Sequence, residues 1–226
     1  MKPRTSRPAR PAGSKGQSHR VRIIGGRFRR TLLPVIDAPG LRPTPDRVRE
    51  TLFNWLAHLF DHDFAELRAL DLFAGTGALG MEALSRGFGH VTFVEHDPRA
   101  AASLDAVLAR LGATNAAVHR RNAYSFIQGT TDHYDVIFLD PPFDQARYAE
   151  LLHLASRALR PHGLLYVEAG EALALPSGFA LVRTDRAGAV HFYLLQPATT
   201  PTADPVPATT PSGAESSNDE NSPDSR

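Results

Sequence analysis

The sequence predicts an α/β protein whose core is a mostly parallel, seven-stranded sheet with one antiparallel strand, preceded by a β-hairpin and a helix. Three observations indicate this fold. Strand and helix patterns alternate through the middle of the chain, which favours parallel strands connected by helices on both faces of the sheet. A glycine-rich stretch joins one buried strand to the helix that follows it. The last two strands have only a short connection, so one of them is expected to run antiparallel.

Composition divides the 226 residues into three parts. Residues 1–19 are rich in Pro, Arg, Gly and Ser and predict a disordered basic arm. Residues 20–196 carry the periodic apolar patterns and predict the folded domain. Residues 197–226 are rich in Pro, Thr, Ser and acidic side chains and predict a disordered acidic tail.

The formal net charge of +1 conceals an uneven distribution of charge. Residues 1–30 contain ten Lys or Arg side chains and no acid, which favours nucleic acid as a partner. The sequence contains no Cys, which excludes disulfides, thiolate metal sites and cysteine nucleophiles, and no metal is expected. No apolar run is long enough to span a membrane and no signal peptide is recognisable, so we expect a cytoplasmic protein without a membrane partner.

The first elements are a hairpin and a helix. "VRIIGGRFRRTLLPV" predicts two short strands around Gly25-Gly26, with the second strand carrying Arg27, Arg29 and Arg30. "TPDRVRETLFNWLAHLF" predicts a helix because its apolar residues recur on one face.

The start of that helix follows known preferences. Thr44 is expected to cap its N-terminus, and Pro45 to occupy its first position.

The central elements follow in strict alternation. The predicted strands are "RALDLF", "HVTFVE", "AAVHR" and "YDVIFLD", followed by "GLLYVEA", "FALVRTDR" and "AVHFYLLQ". The predicted helices between them are "GALGMEALSRG", "PRAAASLDAVLARLG" and "QARYAELLHLASRAL". Pro98 at the start of the second helix and Gly112 just past its end are typical helix boundaries.

The glycine-rich stretch "LDLFAGTGALG" predicts a ligand site at the carboxyl end of the sheet. Its glycines permit a sharp turn and a close approach of a ligand to the main chain. Glu95 ends the next strand, 20 residues after Gly75, where a carboxylate can accept both hydroxyls of a ribose. A nucleoside-containing cofactor is therefore expected. The loop alone fits a dinucleotide or S-adenosylmethionine, but Asp71 before it suits a cationic amine better than a pyrophosphate.

The segment "VIFLDPPF" ends the strand expected beside the glycine loop. Asp140 and the carbonyl of Pro141 can each accept one N–H hydrogen bond from the exocyclic amine of a nucleobase, aligning its lone pair with a methyl donor. Pro142 keeps this geometry rigid, and Phe143 can stack on the base. The segment therefore predicts a holder for a flipped-out base and favours S-adenosylmethionine as the cofactor. Without a cysteine nucleophile, the methylated atom is expected to be nitrogen or oxygen.

These motifs carry a family resemblance. The segment from Asp140 to Phe143, together with "DLFAGTGALG", resembles the amino-group methyltransferases of the Rossmann-like, S-adenosylmethionine-dependent class. Residues 22–56, "RIIGGRFRRTLLPVIDAPGLRPTPDRVRETLFNWL", are similar to the signature of bacterial 16S rRNA guanine-N2 methyltransferases of the RsmD type. The resemblance covers residues 20–195.

The resemblance implies transfer of a methyl group to the N2 amine of one guanine in 16S rRNA, within the small ribosomal subunit or its assembly intermediate, by a monomer. The implied catalytic residues are Asp140, Pro141, Pro142 and Phe143. The implied cofactor-binding residues are Asp71, Phe73, Ala74, Gly75, Thr76, Gly77, Glu95, His96, Asn122 and Ala123. The expected RNA-binding residues are Arg22, Arg27, Arg29, Arg30, Arg42, Thr44 and Arg47.

Four points stay open at this stage. Asn122 can read an adenine edge or serve as an ordinary turn residue. An adenine-N6 or cytosine-N4 methyltransferase of RNA or DNA would use the same chemistry as a guanine-N2 enzyme. An NAD(P)-dependent oxidoreductase shares the glycine loop and Glu95, although it has no use for Asp140. A non-enzymatic RNA-binding protein with a vestigial core is the last alternative.

Overall fold

The computed structural model describes residues 21–35, 44–142 and 147–198. The predicted basic arm, the tail from residue 199 onward, Arg42 and Phe143 lie outside the described residues. In chain order the elements are β1 (Val21–Arg22), β2 (Leu32–Leu33), α1 (Asp46–Leu59), β3 (Arg68–Asp71), α2 (Ala78–Ser85), β4 (His90–Glu95), α3 (Pro98–Leu111), β5 (Ala116–Arg120), α4 (Ala123–Gly129), β6 (Tyr134–Leu139), α5 (Tyr148–Ser156), β7 (Leu159–Ala169), β8 (Phe179–Ala187) and β9 (Val190–Pro197).

The main sheet has seven strands in the order β5-β4-β3-β6-β7-β9-β8. The first five strands are parallel to one another, and β9 runs antiparallel to both of its neighbours. This confirms the predicted mostly parallel sheet with one antiparallel strand. The chain reverses its direction of travel across the sheet between β3 and β6, and such a switch point opens a crevice at the carboxyl ends of the strands.

Helices cover both faces of the sheet and enclose two apolar cores. Helices α1, α2 and α3 and the segment after β1 bury residues such as Leu52, Leu79 and Leu104 on one face. Helices α4 and α5 bury residues such as Phe126 and Leu151 on the other. The central strands are buried on both faces, which explains why they read as continuous apolar runs. Among the described residues, no helix is both long and apolar enough to cross a membrane.

Helix α3 begins and ends where the sequence predicted. Asp97 caps its N-terminus by accepting hydrogen bonds from the N–H groups of Arg99 and Ala100, and Pro98 is its first residue. Gly112, at φ 62°, ends it in the left-handed conformation.

The hairpin differs from the prediction in the extent of its strands. Strands β1 and β2 pair antiparallel, but a long turn separates them, and Arg27, Arg29 and Arg30 lie in this turn rather than in the second strand. The cause is tertiary packing. Phe28 is buried, and the N–H of Arg27 donates to the carbonyl of Ser85 at 2.7 Å, so α2 holds the backbone away from strand pairing.

The start of α1 also differs from the prediction, because Thr44 does not cap the helix. Pro45 occupies the cap position, and no side chain of the described residues caps the first turn. A residue before proline is disfavoured in the helical region, and Thr44 accordingly lies outside the helix. Its hydroxyl donates instead to Asp140 Oδ2 at 3.3 Å.

Helix α4 was missed from the sequence. It is only seven residues long and begins directly after Asn122, which caps it by accepting the N–H of Ser125 at 3.2 Å. The asparagine therefore serves as a helix cap, which is the ordinary role of this residue type at such a position.

Candidate active site

The candidate site lies at the carboxyl ends of β3, β4, β6 and β7, which meet at one edge of the sheet. Asp71 ends β3, Glu95 ends β4, Asp140 follows β6 and Glu168 is the penultimate residue of β7. The glycine loop crosses this edge between β3 and α2. Four carboxyl groups and a sharp backbone turn are thus brought to one end of the sheet.

Close packing shapes the glycine loop. Gly77 has a φ of 76°, and a Cβ added there would lie 2.2 Å from Leu104 Cδ2. Only glycine fits this position, because both the backbone conformation and the contact with α3 exclude a side chain. Ala74 is buried, whereas Phe73 and Thr76 are half-buried, and the Phe73 ring packs edge-on against Tyr124.

Glu95 is fixed by the loop that it supports. It is buried, its Oε2 accepts the N–H of Gly75 at 2.8 Å, and its Oε1 accepts the N–H of Asp97 at 2.7 Å. The exposed His96 places Nδ1 3.2 Å from the same Oε1. Each carboxylate oxygen has a second lone pair, so a carboxylate held in this way can still accept the hydroxyls of a ribose.

Asp71 is a buried acid without a paired cation among the described residues. It is 2% exposed, and its Oδ2 accepts the N–H of Gly80 at 2.9 Å. Burial raises the pKa of Asp71 to about 7, and the Gly80 hydrogen bond offsets part of this rise. An ammonium group bound nearby would stabilise the carboxylate, so the residue fits a site for a cationic amine.

The two residues expected at the adenine lie at the start of α4. Asn122 is exposed and uses its side-chain oxygen as the helix cap, while Ala123 is buried. The Asn122 side-chain NH₂ group has no protein hydrogen-bond partner among the described residues, so it is free to donate.

Asp140 lies beside the glycine loop, as the sequence predicted, because β6 pairs directly with β3. The residue is half-buried, Pro141 is buried and Pro142 is exposed. Burial, followed by the negative charges of Glu168 and Asp71, raises the pKa of Asp140 well above its usual range.

Glu168 is a site residue that the sequence analysis missed. It is 2% exposed, and its Oε1 accepts the hydroxyl of Tyr166 at 2.9 Å. Burial raises the pKa of Glu168 to about 7, while hydrogen bonds from Thr44 and Tyr166 and the charge of Arg49 oppose the rise. A signal was available, since "GLLYVEA" ends an apolar parallel strand with an acid, just as the strands of Asp71 and Glu95 do.

The expected RNA-binding residues divide into two groups. Thr44 is buried beside Asp140 and therefore belongs to the candidate site. The remaining described members are exposed arginines on β1, the hairpin turn and α1, namely Arg22, Arg27, Arg29, Arg30 and Arg47. The Arg22 guanidinium pairs with Asp46 at 3.0 Å, and that of Arg27 lies 4.3 Å from the centre of the Phe28 ring.

A buried carboxylate holds the hairpin turn on the domain. Glu82 of α2 is fully buried and accepts the N–H groups of Ile24 and Gly25, each at 2.8 Å. Arg86 pairs with it at 2.8 Å, and the fully buried Arg49 lies 3.7 Å away. The basic turn is thus fixed to the helix that follows the glycine loop, which gives it a set position relative to the candidate site.

The sequence and fold have known relatives. The family model described as conserved hypothetical protein 95 matches residues 21–196. Ribosomal RNA small subunit methyltransferase D of Escherichia coli strain K12 is 43% identical over 184 residues, covering 79% of this chain and 91% of the relative. The Haemophilus influenzae protein of the same name is 40% identical over 184 residues, covering 78% and 93%. The chain belongs to the small-subunit rRNA methyltransferase D family.

This member of the small-subunit rRNA methyltransferase D family also shares its fold with a solved structure. The structure of Escherichia coli yhhF superimposes with a TM-score of 0.69 at 42% sequence identity, covering 79% of this chain and 98% of the solved one. The predicted Rossmann-like methyltransferase fold and the family resemblance are both confirmed. Membership of this family does not favour two of the alternatives that the sequence left open, an oxidoreductase and a non-enzymatic RNA-binding protein.

Proposed function

We propose that the protein transfers a methyl group from S-adenosylmethionine to the exocyclic N2 amine of one guanine in 16S rRNA. The observation that carries the proposal is the position of Asp140 at the end of β6, directly beside the strand that enters the glycine loop. A hydrogen-bond acceptor for an amine and a cradle for a nucleoside therefore open onto the same crevice.

The residues of the glycine loop fit this cofactor. S-adenosylmethionine, when bound, supplies a methyl group on a positively charged sulfur. Glu95 is oriented by two backbone N–H groups and accepts the ribose hydroxyls. Asp71, buried without a cation partner among the described residues, accepts the cationic amino group directly or through water. Asn122 and Ala123, at the start of α4, lie by the adenine.

Asp140 and Pro141 prepare the substrate amine for reaction. The lone pair of a guanine amine is delocalised into the ring, so the amine is a poor nucleophile. The Asp140 carboxylate and the Pro141 carbonyl each accept one N–H hydrogen bond from this amine. These two bonds favour a tetrahedral nitrogen and align its lone pair with the methyl donor. Phe143 stacks on the flipped base, and Pro142 restricts the backbone that carries the acceptors. The methylated nitrogen becomes acidic and releases one proton.

Exposed arginines on the hairpin bind the phosphate backbone of the RNA. Arg27, Arg29 and Arg30 lie on one exposed turn that Glu82 fixes to α2. Phosphate contacts of this kind orient the RNA, and the pocket at Asp140 selects the base. We propose that the substrate is the small subunit or its assembly intermediate in the cytoplasm, and that the enzyme acts as a monomer without a metal.

Mass spectrometry of the reaction product tests the proposal. The protein is incubated with S-adenosylmethionine and small-subunit particles from cells that lack the endogenous enzyme, and the digested rRNA is analysed for modified nucleosides. We expect N2-methylguanosine. N6-methyladenosine or N4-methylcytidine would retain the chemistry and overturn the choice of base. Cofactor binding without any methylated nucleoside, on particles and on naked rRNA, would overturn the choice of substrate.

A further inference from the structure

Two exposed arginines lie at the carboxyl end of β5, apart from the basic hairpin turn. Strand β5 ends at Arg120, which pairs in register with Glu95 at the end of β4, and Arg121 follows directly. The N–H of Arg121 donates to the carbonyl of Glu95 at 3.1 Å, which fixes the backbone here. Both side chains are exposed. Arg120 and Arg121, the β5 arginines, therefore lie at the same end of the sheet as the candidate site.

The charges of the β5 arginines are not offset by acids in the part of the chain that the structure describes. No ion pair there joins either guanidinium group to a carboxylate. The neighbouring Arg99 of α3 differs, because it pairs with Asp97 at 3.4 Å. Two guanidinium groups thus face solvent and are available to an anion outside the protein.

The crevice beside them is acidic. Asp71, Glu95 and Glu168 are buried at the ends of their strands, and Asp140 is half-buried among them. Like charges repel, so this group of carboxyl groups disfavours a phosphate. An uncharged guanine base can enter the crevice, whereas the phosphates of the same RNA strand are favoured outside it, where cations are exposed.

The sheet order sets the distance between the base pocket and the β5 arginines. Strand β5 lies three strands from β6, which carries Asp140 at its end. With about 4.8 Å between neighbouring strands, the two ends are separated by roughly 14 Å along one side of the sheet. A single RNA strand that places a base at Asp140 can continue across this distance to the β5 arginines.

The hairpin turn contacts a different region. It packs on Ser85 at the end of α2, whereas α2 begins directly after the glycine loop. The eight residues of this helix span about 12 Å, so the turn lies towards the amino ends of the strands. The hairpin turn and the β5 arginines are therefore separate basic surfaces at opposite ends of the sheet.

We propose that the β5 arginines bind the phosphate backbone of the rRNA strand on one side of the target guanine. This inference rests on the proposed function and adds to it a second RNA-contact surface, at the same end of the sheet as Asp140. Each guanidinium group donates parallel N–H hydrogen bonds to phosphate oxygens. These contacts orient the strand, and the pocket at Asp140 selects the base.

The dependence of RNA affinity on salt tests the proposal in a variant with Arg120→Gln and Arg121→Gln. The probe is a short, fluorescein-labelled, single-stranded RNA of mixed sequence, because phosphate contacts do not depend on sequence. Loss of two contacts should reduce the slope of log K against log salt concentration by about 1.4 and the affinity at about 0.15 M salt roughly tenfold. Arg120→Lys with Arg121→Lys keeps both charges and should retain most of the slope.

A matched control removes the same charge at the other end of the sheet. Arg110 lies in the last turn of α3, and Arg157 directly follows α5, and both are exposed. Their joint replacement with Gln should leave the slope close to that of the wild type. Thermal unfolding shows that each variant is folded. Equal losses of slope in the two Gln variants, or an unchanged slope in the β5 variant, would overturn the proposal.

Two further readouts distinguish RNA binding from other roles. Calorimetry should give the same S-adenosylmethionine affinity for the β5 Gln variant and the wild type, and a loss of cofactor affinity with an unchanged RNA slope would assign the arginines to the cofactor. With small-subunit particles, KM should rise while the single-turnover rate at saturation is retained. A reduced slope without any N2-methylguanosine would refute the proposed function and support this surface, whereas methylation with an unchanged slope would do the reverse.

Discussion

Gly26 and Ser85 approach so closely that no side chain fits between them. A Cβ added to Gly26 would lie 1.8 Å from the carbonyl oxygen of Ser85, at a backbone φ of 72°. The hydroxyl of Ser85 also accepts the N–H of Phe28 at 2.9 Å and donates to the carbonyl of Gly25. The Gly25-Gly26 pair therefore allows the hairpin turn to pack against the end of α2, in addition to forming the turn.

Gly26→Ala should destabilise the protein more than an alanine at another glycine with positive φ. Gly178 is the matched control, because its φ is 89° and a Cβ there meets no described residue within 4 Å. The control is expected to lose about 1 kcal/mol from backbone strain alone. Gly26→Ala should lose clearly more, since the turn must also move away from α2. Urea unfolding measures both free energies, and equal losses would show that the close approach is unimportant.

The sequence predicted the central sheet well because its strands are buried on both faces. Strands β3, β4 and β6 read as apolar runs that each end in an acid, and the sheet brings those acids to one edge. The hairpin turn was misread because its alternating arginines look like a strand, whereas burial of Phe28 and contacts with α2 decide its conformation. Those contacts join residues nearly sixty positions apart and leave no local signal.

The acids at the strand ends illustrate a different limit of sequence reasoning. The acid at the end of β7 was visible, but its position relative to Asp140 depends on which strands are neighbours and in which register. The hydrogen bond from Thr44 to Asp140 depends further on how the start of α1 is placed over that edge. Residue types at strand ends are therefore readable from the sequence, whereas the partners of those residues require the assembled sheet.

Asp71→Asn should flatten the dependence of stability on pH in the absence of cofactor. Burial raises the pKa of Asp71 from 3.8 in the unfolded chain to about 7, so the folded state keeps a proton that the unfolded state has released between these values. Stability is then lost as pH rises through this window, with a slope of about 1.4 kcal/mol per pH unit for one proton. The variant removes this contribution and retains an acceptor for Gly80.

Urea unfolding at pH 5 and pH 8 compares the two proteins. The wild type should lose more stability than Asp71→Asn across this interval. Added S-adenosylmethionine should restore the wild type at pH 8 and have a smaller effect on the variant, because only a carboxylate balances the bound amine. Identical pH dependence in both proteins would mean that the Asp71 side chain is hydrated or already paired.

Replacing Arg27, Arg29 and Arg30 together with Gln should weaken RNA binding and reduce its dependence on salt. Each phosphate contact to a single strand contributes roughly −0.7 to the slope of log K against log salt concentration, so loss of three contacts should reduce the slope by about 2. Fluorescence anisotropy with an rRNA fragment, measured between about 50 and 300 mM salt, gives the slope for each protein.

The control for this triple variant carries three substitutions elsewhere. Three exposed arginines serve for this purpose. Arg157 directly follows α5, and Arg183 and Arg186 lie on β8, which forms the edge of the sheet opposite β5. Their replacement with Gln removes the same net charge and should leave the slope closer to that of the wild type. Equal effects of the two variants would assign the interaction to net charge and would exclude a specific role for the hairpin turn.

Asp140→Ala should reduce the methylation rate while S-adenosylmethionine binding is largely retained. Removal of a preorganised group that stabilises the transition state costs on the order of 10²-fold in rate. Asp105→Ala, which removes an exposed carboxylate on α3, is the control and should behave as the wild type. Single-turnover rates and calorimetric titration with the cofactor separate the two effects.

The stability of Asp140→Ala decides whether its loss of rate is chemical or structural. Asp140 lies among like charges, since burial and then the charges of Glu168 and Asp71 raise its pKa. Its removal relieves that repulsion, so the variant should be at least as stable as the wild type at pH 8. A slow, stable variant with normal cofactor affinity assigns Asp140 to the substrate amine. A strong loss of cofactor affinity would instead make Asp140 part of the cofactor site, leaving Pro141 as the acceptor at the base.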